Sequence, residues 1–189
     1  MPPKFMRSPG VERGGRSGWV QGRRRSVPLV TRILLVCLGN ICRSPTAEAA
    51  LREALVEAGV DGEVEVDSAG TGDWHLGSAP DHRMTSAAAE AGLTLAGRAR
   101  LIEPADFDRF DLILAMDRSN LTQIRALAPD GAARARVRLF REFEDGADDD
   151  EVPDPYFGGP DGFDRVVEIA RAGARGLARH LTTGGGVPA

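Results

Sequence analysis

The stretch Ile33-Leu34-Leu35-Val36-Cys37-Leu38-Gly39-Asn40-Ile41-Cys42-Arg43-Ser44-Pro45 contains two periodicities with a break between them. Its first four residues are an unbroken apolar run, the pattern of a strand buried on both faces of a parallel sheet. From Ser44-Pro45 onward the apolar residues Ala47, Leu51, Ala54, Leu55 and Ala58 recur at helical spacing, which predicts a helix with Ser44 at the N-cap and Pro45 at N1. The segment from Cys37 to Arg43 is therefore a loop joining the carboxyl end of a strand to the amino end of a helix.

Such a loop favours an anion, because the unpaired backbone N–H groups and the positive end of the helix dipole both face it. Gly39 is expected to let the loop curl, so that the N–H groups of Leu38, Gly39, Asn40, Ile41, Cys42, Arg43 and Ser44 surround one point. Arg43 adds a planar fork of donors that can hold two oxygens of a phosphate, which a lysine cannot reproduce. A cysteine near a helix terminus and an arginine is favoured as its thiolate, the nucleophilic form. Singly, Cys37 reads as a core thiol and Ser44 as a plain cap. Together with Gly39, Asn40 and Arg43 in strand-loop-helix context they read as a nucleophile facing a cradle for a phosphate-like dianion.

Further along, Val64 and Val66, Leu112–Met116 and Val137–Phe140 read as strands, and helical patterns fall at 45–58, 81–91, 119–127 and 161–179. In the last of these Phe163, Val166, Val167, Ala170, Ala174 and Leu177 share one face. Strands alternating with helices imply an α/β fold: a three-layer open parallel sheet of about four strands with helices on both faces. Ligands of such sheets bind beyond the carboxyl ends of the strands, where the Cys37 loop lies.

The chain has 189 residues, enough for one domain with a sizeable core. Residues 1–30 hold Lys4, Arg7, Arg13, Arg16, Arg23, Arg24 and Arg25 against the single acid Glu12, while the whole chain carries a net charge of −4. With Pro, Gly and Ser between those charges, this basic segment is expected to be a disordered extension or a start placed too early. No secretory signal and no membrane-spanning run is seen, and the tail 182–189 is expected to be flexible. Lys4 is the sole lysine, so the remainder has no Walker A lysine, and the bias toward Arg, Ala and Gly fits a GC-rich bacterial genome. His75, His82 and His180 are scattered and the two cysteines share the loop, so no metal and no organic cofactor is expected.

The loop with its flanks, Val36-Cys37-Leu38-Gly39-Asn40-Ile41-Cys42-Arg43-Ser44-Pro45-Thr46-Ala47-Glu48-Ala49, resembles the signature loop of the low molecular weight protein tyrosine phosphatases, bacterial type. Ser68-Ala69-Gly70-Thr71-Gly72-Asp73-Trp74-His75 resembles that family's second strand and following loop, and Ala115-Met116-Asp117-Arg118-Ser119-Asn120-Leu121 its third strand and next helix. Asp154-Pro155-Tyr156-Phe157-Gly158 falls where the family keeps its acid loop, so the resemblance covers residues 31 to 181 in order.

The resemblance implies a Rossmann-like phosphatase fold and hydrolysis of protein phosphotyrosine through a cysteinyl phosphate. Cys37 would be the nucleophile, Arg43 the phosphate clamp, Asn40 the holder of the loop's strained backbone, Ser44 a hydroxyl donor to the sulfur, and Asp154 the general acid. An acid poised over the leaving oxygen protonates a phenolate as the P–O bond breaks, and its carboxylate then takes a proton from water. Pro153 and Pro155 restrict the backbone around Asp154. Trp74, Tyr156 and Phe157 are expected to wall an aromatic pocket floored by Leu38 and Ile41. Phe157 stands where many members carry a second Tyr. Cys42 is implied as a redox partner that protects Cys37. The acidic run Asp145, Asp148, Asp149, Asp150 and Glu151 is read as a solvated segment without a catalytic role.

The partners implied are phosphotyrosine proteins, with a bacterial tyrosine kinase among the candidates; nucleic acid is not required, and a monomer in the cytoplasm is expected, with secretion lacking a signal peptide left open. Three rivals share parts of this pattern. An arginine phosphatase has the same loop but typically Thr where Ile41 stands. Arsenate reduction coupled to thioredoxin needs cysteines beyond the loop, and this chain has two cysteines in all. A non-catalytic phosphate-binding module has no use for both Arg43 and Asp154.

Overall fold

The computed structural model describes residues 31–183. The expected basic extension at 1–30 lies outside the described residues, as do 184–189 of the expected tail, whereas Thr182 closes the last helix.

Four strands, β1 (Thr31–Cys37), β2 (Val64–Gly70), β3 (Leu112–Ala115) and β4 (Val137–Leu139), form one sheet in the order β2-β1-β3-β4. Every pairing is parallel, with Ile33 opposite Val66 and Leu112. Parallel pairing requires crossovers, and these are α1 (Arg43–Ala58), α2 (His82–Glu90) with α3 (Asp106–Arg109), and α4 (Arg118–Leu127) with α5 (Gly131–Ala135). A 3-10 turn at Phe140–Phe143 and the long α6 (Pro160–Thr182) complete the described chain. The short α3, α5 and 3-10 turn carry no sustained periodicity, which is why the sequence pattern does not show them.

Alternation along the strands splits the core into two halves. Ile33, Leu35, Val66, Leu112 and Leu114 face α1, α2 and α6, and pack with Leu51, Leu55, Met84 and Val166. Leu34, Val36, Ile113, Val137 and Leu139 face the other way, onto Phe107, Ile124 and Ala133. Both faces of the sheet are therefore dry, as the continuous apolar strand of the sequence demands. The α6 face is as expected: Phe163, Val166, Val167, Ala170, Ala174 and Leu177 are all buried.

The acidic run is exposed at Asp145, Asp148 and Asp149, as expected of a solvated segment, but arginines tie it down. Arg141, itself buried, binds Glu144 at 2.6 Å and Asp148 at 2.7 Å and donates to the Glu151 carbonyl, while Arg118 pairs with Asp150 and Glu151. Like charges so close in sequence would repel, and these arginines offset that repulsion.

Candidate functional site

β1 ends at Cys37, and α1 begins at Arg43 with Cys42 at its N-cap. The expected cap at Ser44 is thus two residues late. Pro45 sits inside the first turn, where its missing N–H is one of the four that no helical carbonyl accepts, and the first helical bond runs from Thr46 N to Cys42 O at 3.2 Å. Relieved of capping, the buried Ser44 places its Oγ 3.1 Å from Cys37 Sγ.

Between these ends the loop turns its carbonyls outward. Those of Cys37, Leu38 and Ile41 accept from the backbone N–H groups of Thr71, Gly72 and Asp81 at 2.8–2.9 Å. The N–H of Asn40 points inward and donates to Cys37 Sγ at 3.2 Å. The reversal is made by Asn40, whose φ of 52° is the sole positive value at a non-glycine among the described residues. Asn tolerates this region better than most residues. Gly39, expected to let the loop curl, is not in the left-handed region. Its smallness serves another purpose, since a Cβ there would approach the His75 ring to 3.0 Å.

Both polar atoms of the Asn40 side chain are held. Its side-chain nitrogen donates to Ser44 Oγ at 2.9 Å and Ser68 Oγ at 3.0 Å, and its oxygen accepts from Arg100 N at 3.0 Å. Ser68 in turn donates to Glu48 at 2.7 Å. Ser44 has one proton and two acceptors in reach, Cys37 Sγ and the Ala69 carbonyl at 3.2 Å. An ionised sulfur takes that proton preferentially, because charge-assisted hydrogen bonds are the stronger.

Arg43 is buried yet charged. One terminal nitrogen donates to Asp117 at 2.5 Å and the other to Asp154 at 2.7 Å. Burial opposes the charge, but Cys37, Asp154 and Asp117 more than offset it and raise the guanidinium above its ordinary value. Asp154 reaches this position because Val152 N is bound to Met116 O at 2.7 Å, which fastens the acid loop to the end of β3. Its other oxygen accepts from Tyr156 N at 3.1 Å. Cys37, Arg43 and Asp154 thus border one pocket of about 270 Å³, lined also by Ile41, Trp74, His75, Tyr156 and Phe157.

This arrangement has close counterparts among known proteins. The family model for low molecular weight phosphotyrosine protein phosphatase matches residues 32–185. The chain belongs to this family. A low molecular weight protein-tyrosine-phosphatase of Streptomyces coelicolor is 44% identical over 148 residues, covering 77% of this chain and 90% of the relative. A crystal structure of an Entamoeba histolytica protein tyrosine phosphatase superposes with a TM-score of 0.79 at 34% identity, covering 82% of this chain and 99% of that one. YfkJ from Bacillus subtilis gives a TM-score of 0.75 at 33% identity, with 82% and 96% covered.

In this member of the low molecular weight phosphatase family all the residues singled out in the sequence come together, with differences of detail. Phe157 is 96% exposed and Trp74 73%, so both are rim rather than wall, and Tyr156 is the half-buried aromatic. Leu38 also lies partly open, while Ile41 is buried below it. Cys42 is a free, buried thiol pushed up to about 12 by burial, with Asp81 and Cys37 adding to the shift, so it stays protonated at neutral pH. No group of three or more potential metal ligands occurs among the described residues, and no described helix is long and apolar enough to cross a membrane.

Two site residues were missed from sequence. Asp117 caps α4 by accepting from Asn120 N at 2.6 Å and with its second oxygen grips Arg43. A capping acid two residues beyond the carboxyl end of β3, at the sheet edge that carries Cys37, was the available signal. His75, dismissed with the other histidines as no ligand, stands beside Tyr156 with ring centroids 5.8 Å apart. Its neighbour Trp74 was the clue.

Proposed function

We propose that residues 31–181 form a protein-tyrosine-phosphatase working through a cysteinyl phosphate. The convergence of Cys37 Sγ, the Arg43 guanidinium and the Asp154 carboxyl on one aromatic-lined pocket carries this reading. The ester phosphate enters the loop, where inward N–H groups and Arg43 hold its oxygens, and Cys37 Sγ attacks phosphorus opposite the tyrosine oxygen. A phosphate dianion meets Asp154 with like charge and takes its place on Arg43. Asp154 then carries the proton that the departing phenolate needs. Asp154, now a carboxylate, accepts a proton from the water that cleaves the S–P bond, and Ser44 steadies the returning thiolate. The steps draw nucleophile, clamp and acid from the chain's own side chains.

The aromatic lining suits a phenyl ring and offers nothing to stack on the short stem of phosphoserine. Family membership supports phosphotyrosine proteins as substrates, a tyrosine kinase among them, and a monomer acting in the cytoplasm. Cys42 adds protection on this reading. When peroxide converts Cys37 to a sulfenic acid, releasing water, the Cys42 sulfur attacks it, its proton leaves with the hydroxyl as a second water, and the disulfide is later reduced by thiols.

The test is phosphate release from a phosphotyrosine peptide in the presence of chelator, by the native protein and by Cys37→Ser, with phosphoserine and phosphoarginine peptides alongside. Turnover confined to phosphotyrosine and abolished by the substitution is expected. Turnover of phosphoarginine instead would move the assignment to an arginine phosphatase, and none at all to a phosphate-binding module.

A further inference from the structure

The acid loop has few attachments. Across residues 153–158 the described hydrogen bonds to the rest of the protein are two: Asp154 to Arg43, and the Tyr156 carbonyl to Arg83, which donates from Nη1 at 3.2 Å. The first is weakened whenever a phosphate occupies Arg43. The second comes from Arg83, which does not line the pocket and makes no contact with the phosphate loop's arginine.

Arg83 is itself anchored to the phosphate loop. Asp81 N donates to the Ile41 carbonyl at 2.8 Å, and the Asp81 carboxylate takes the Arg83 fork, Nε at 3.1 Å and Nη2 at 2.8 Å. The guanidinium lies 5.2 Å from the Tyr156 ring centroid and 4.9 Å from that of the buried Phe163 on α6. Its three hydrogen bonds and two ring faces need a flat, forked cation, which Lys does not provide. Tyr156 N then donates to Asp154 Oδ1 at 3.1 Å. A continuous line of contacts runs from the phosphate loop through Asp81, Arg83 and Tyr156 to the carboxyl of Asp154.

We propose that Arg83 is a positioning residue that aims Asp154 at the leaving-group oxygen while Arg43 is engaged by phosphate. It touches neither phosphate nor nucleophile and acts through Tyr156. The proposal rests on the reading of Asp154 as the general acid.

Loss of aim should appear only where the leaving group needs a proton. p-Nitrophenolate departs readily without one, whereas phenolate does not. The experiment compares kcat/KM on p-nitrophenyl phosphate and phenyl phosphate for the native protein, Arg83→Gln, Arg83→Lys and Asp154→Asn, with thermal melting to confirm folding. Arg83→Gln is expected to lower the phenyl value about tenfold more than the nitrophenyl value, in the direction shown more strongly by Asp154→Asn. Arg83→Lys keeps the charge but loses the fork, and should shift the same ratio less; its result decides the matter if Arg83→Gln does not fold. An unchanged ratio in the folded Arg83 variants, or an equal fall for both esters, would overturn the positioning role. An unchanged ratio in Asp154→Asn would instead overturn the reading of Asp154.

Discussion

Asn40 combines a left-handed backbone with hydrogen bonds to Ser44, Ser68 and Arg100, so the shape of the phosphate loop depends on one buried amide. Asn40→Ala removes all three bonds and places a side chain that disfavours positive φ at the same point. We expect a stability loss of about 1–3 kcal/mol, because buried partners are left unsatisfied, and a fall in kcat/KM of at least about tenfold as the donors lose their aim. Denaturant unfolding and peptide turnover measure the two; a variant with native turnover would show that the loop holds its form without Asn40. Cys42 gives a second test. Its thiol, pushed up to about 12 chiefly by burial, should resist iodoacetamide at pH 7 in the folded protein and react after unfolding, as read by mass spectrometry of its peptide. Alkylation of native Cys42 at pH 7 would contradict this.

Elements meet in this molecule through small residues. On α6, a Cβ added to Gly176 would lie 1.8 Å from the Phe143 carbonyl oxygen, and one on Gly173 2.6 Å from the Phe140 ring. Helix propensity alone predicts that Gly176→Ala stabilises by up to about 1 kcal/mol. The clash is with backbone, so no rotamer relieves it and α6 must lift from the 3-10 turn. Overpacking of this kind costs more than propensity returns, and we expect a net loss of about 2 kcal/mol by denaturant unfolding. A stabilised Gly176→Ala would mean that α6 is seated differently. Gly72 behaves otherwise, since its added Cβ would meet the ring of the exposed Trp74 at 2.0 Å. That ring can swing aside at little cost in stability, so Gly72→Ala should leave the melting temperature nearly unchanged and raise KM for a phosphotyrosine peptide severalfold. An unaltered KM would remove Trp74 from the substrate rim.

Across the whole molecule, the all-parallel sheet brings the ends of β1, β2 and β3 to one edge, and Asp81 ties the segment after β2 to the phosphate loop. The Arg83 guanidinium holds the Asp81 carboxyl below its usual range, so the ionised form stabilises the fold. That contribution is present above the unfolded carboxylate value near about pH 4 and is lost as pH falls below it through the lower folded value. The stability gap between native protein and Asp81→Asn, which keeps an oxygen to accept from Arg83 N at the start of α2, should therefore be widest near neutrality and close in acid; a gap independent of pH would show that the charge is not what matters. The apolar run before Cys37, the helical spacing after Ser44 and the apolar face of α6 were legible in sequence because strand and helix periods are local properties of the chain. The Cys37 loop and Arg43 were legible because their residue types carry their chemistry, and Asp154 because its loop resembles the family's acid loop. The grip of Asp117 on Arg43, 74 residues away, and of Arg83 on Tyr156, 73 residues away, was not. Nor was the room that Gly39 leaves for the His75 ring. Sequence alone determined the four strands, the long helices and the candidate reacting groups; which charges meet, and where the short helices fall, was decided when the crossovers packed distant segments onto the same sheet edge.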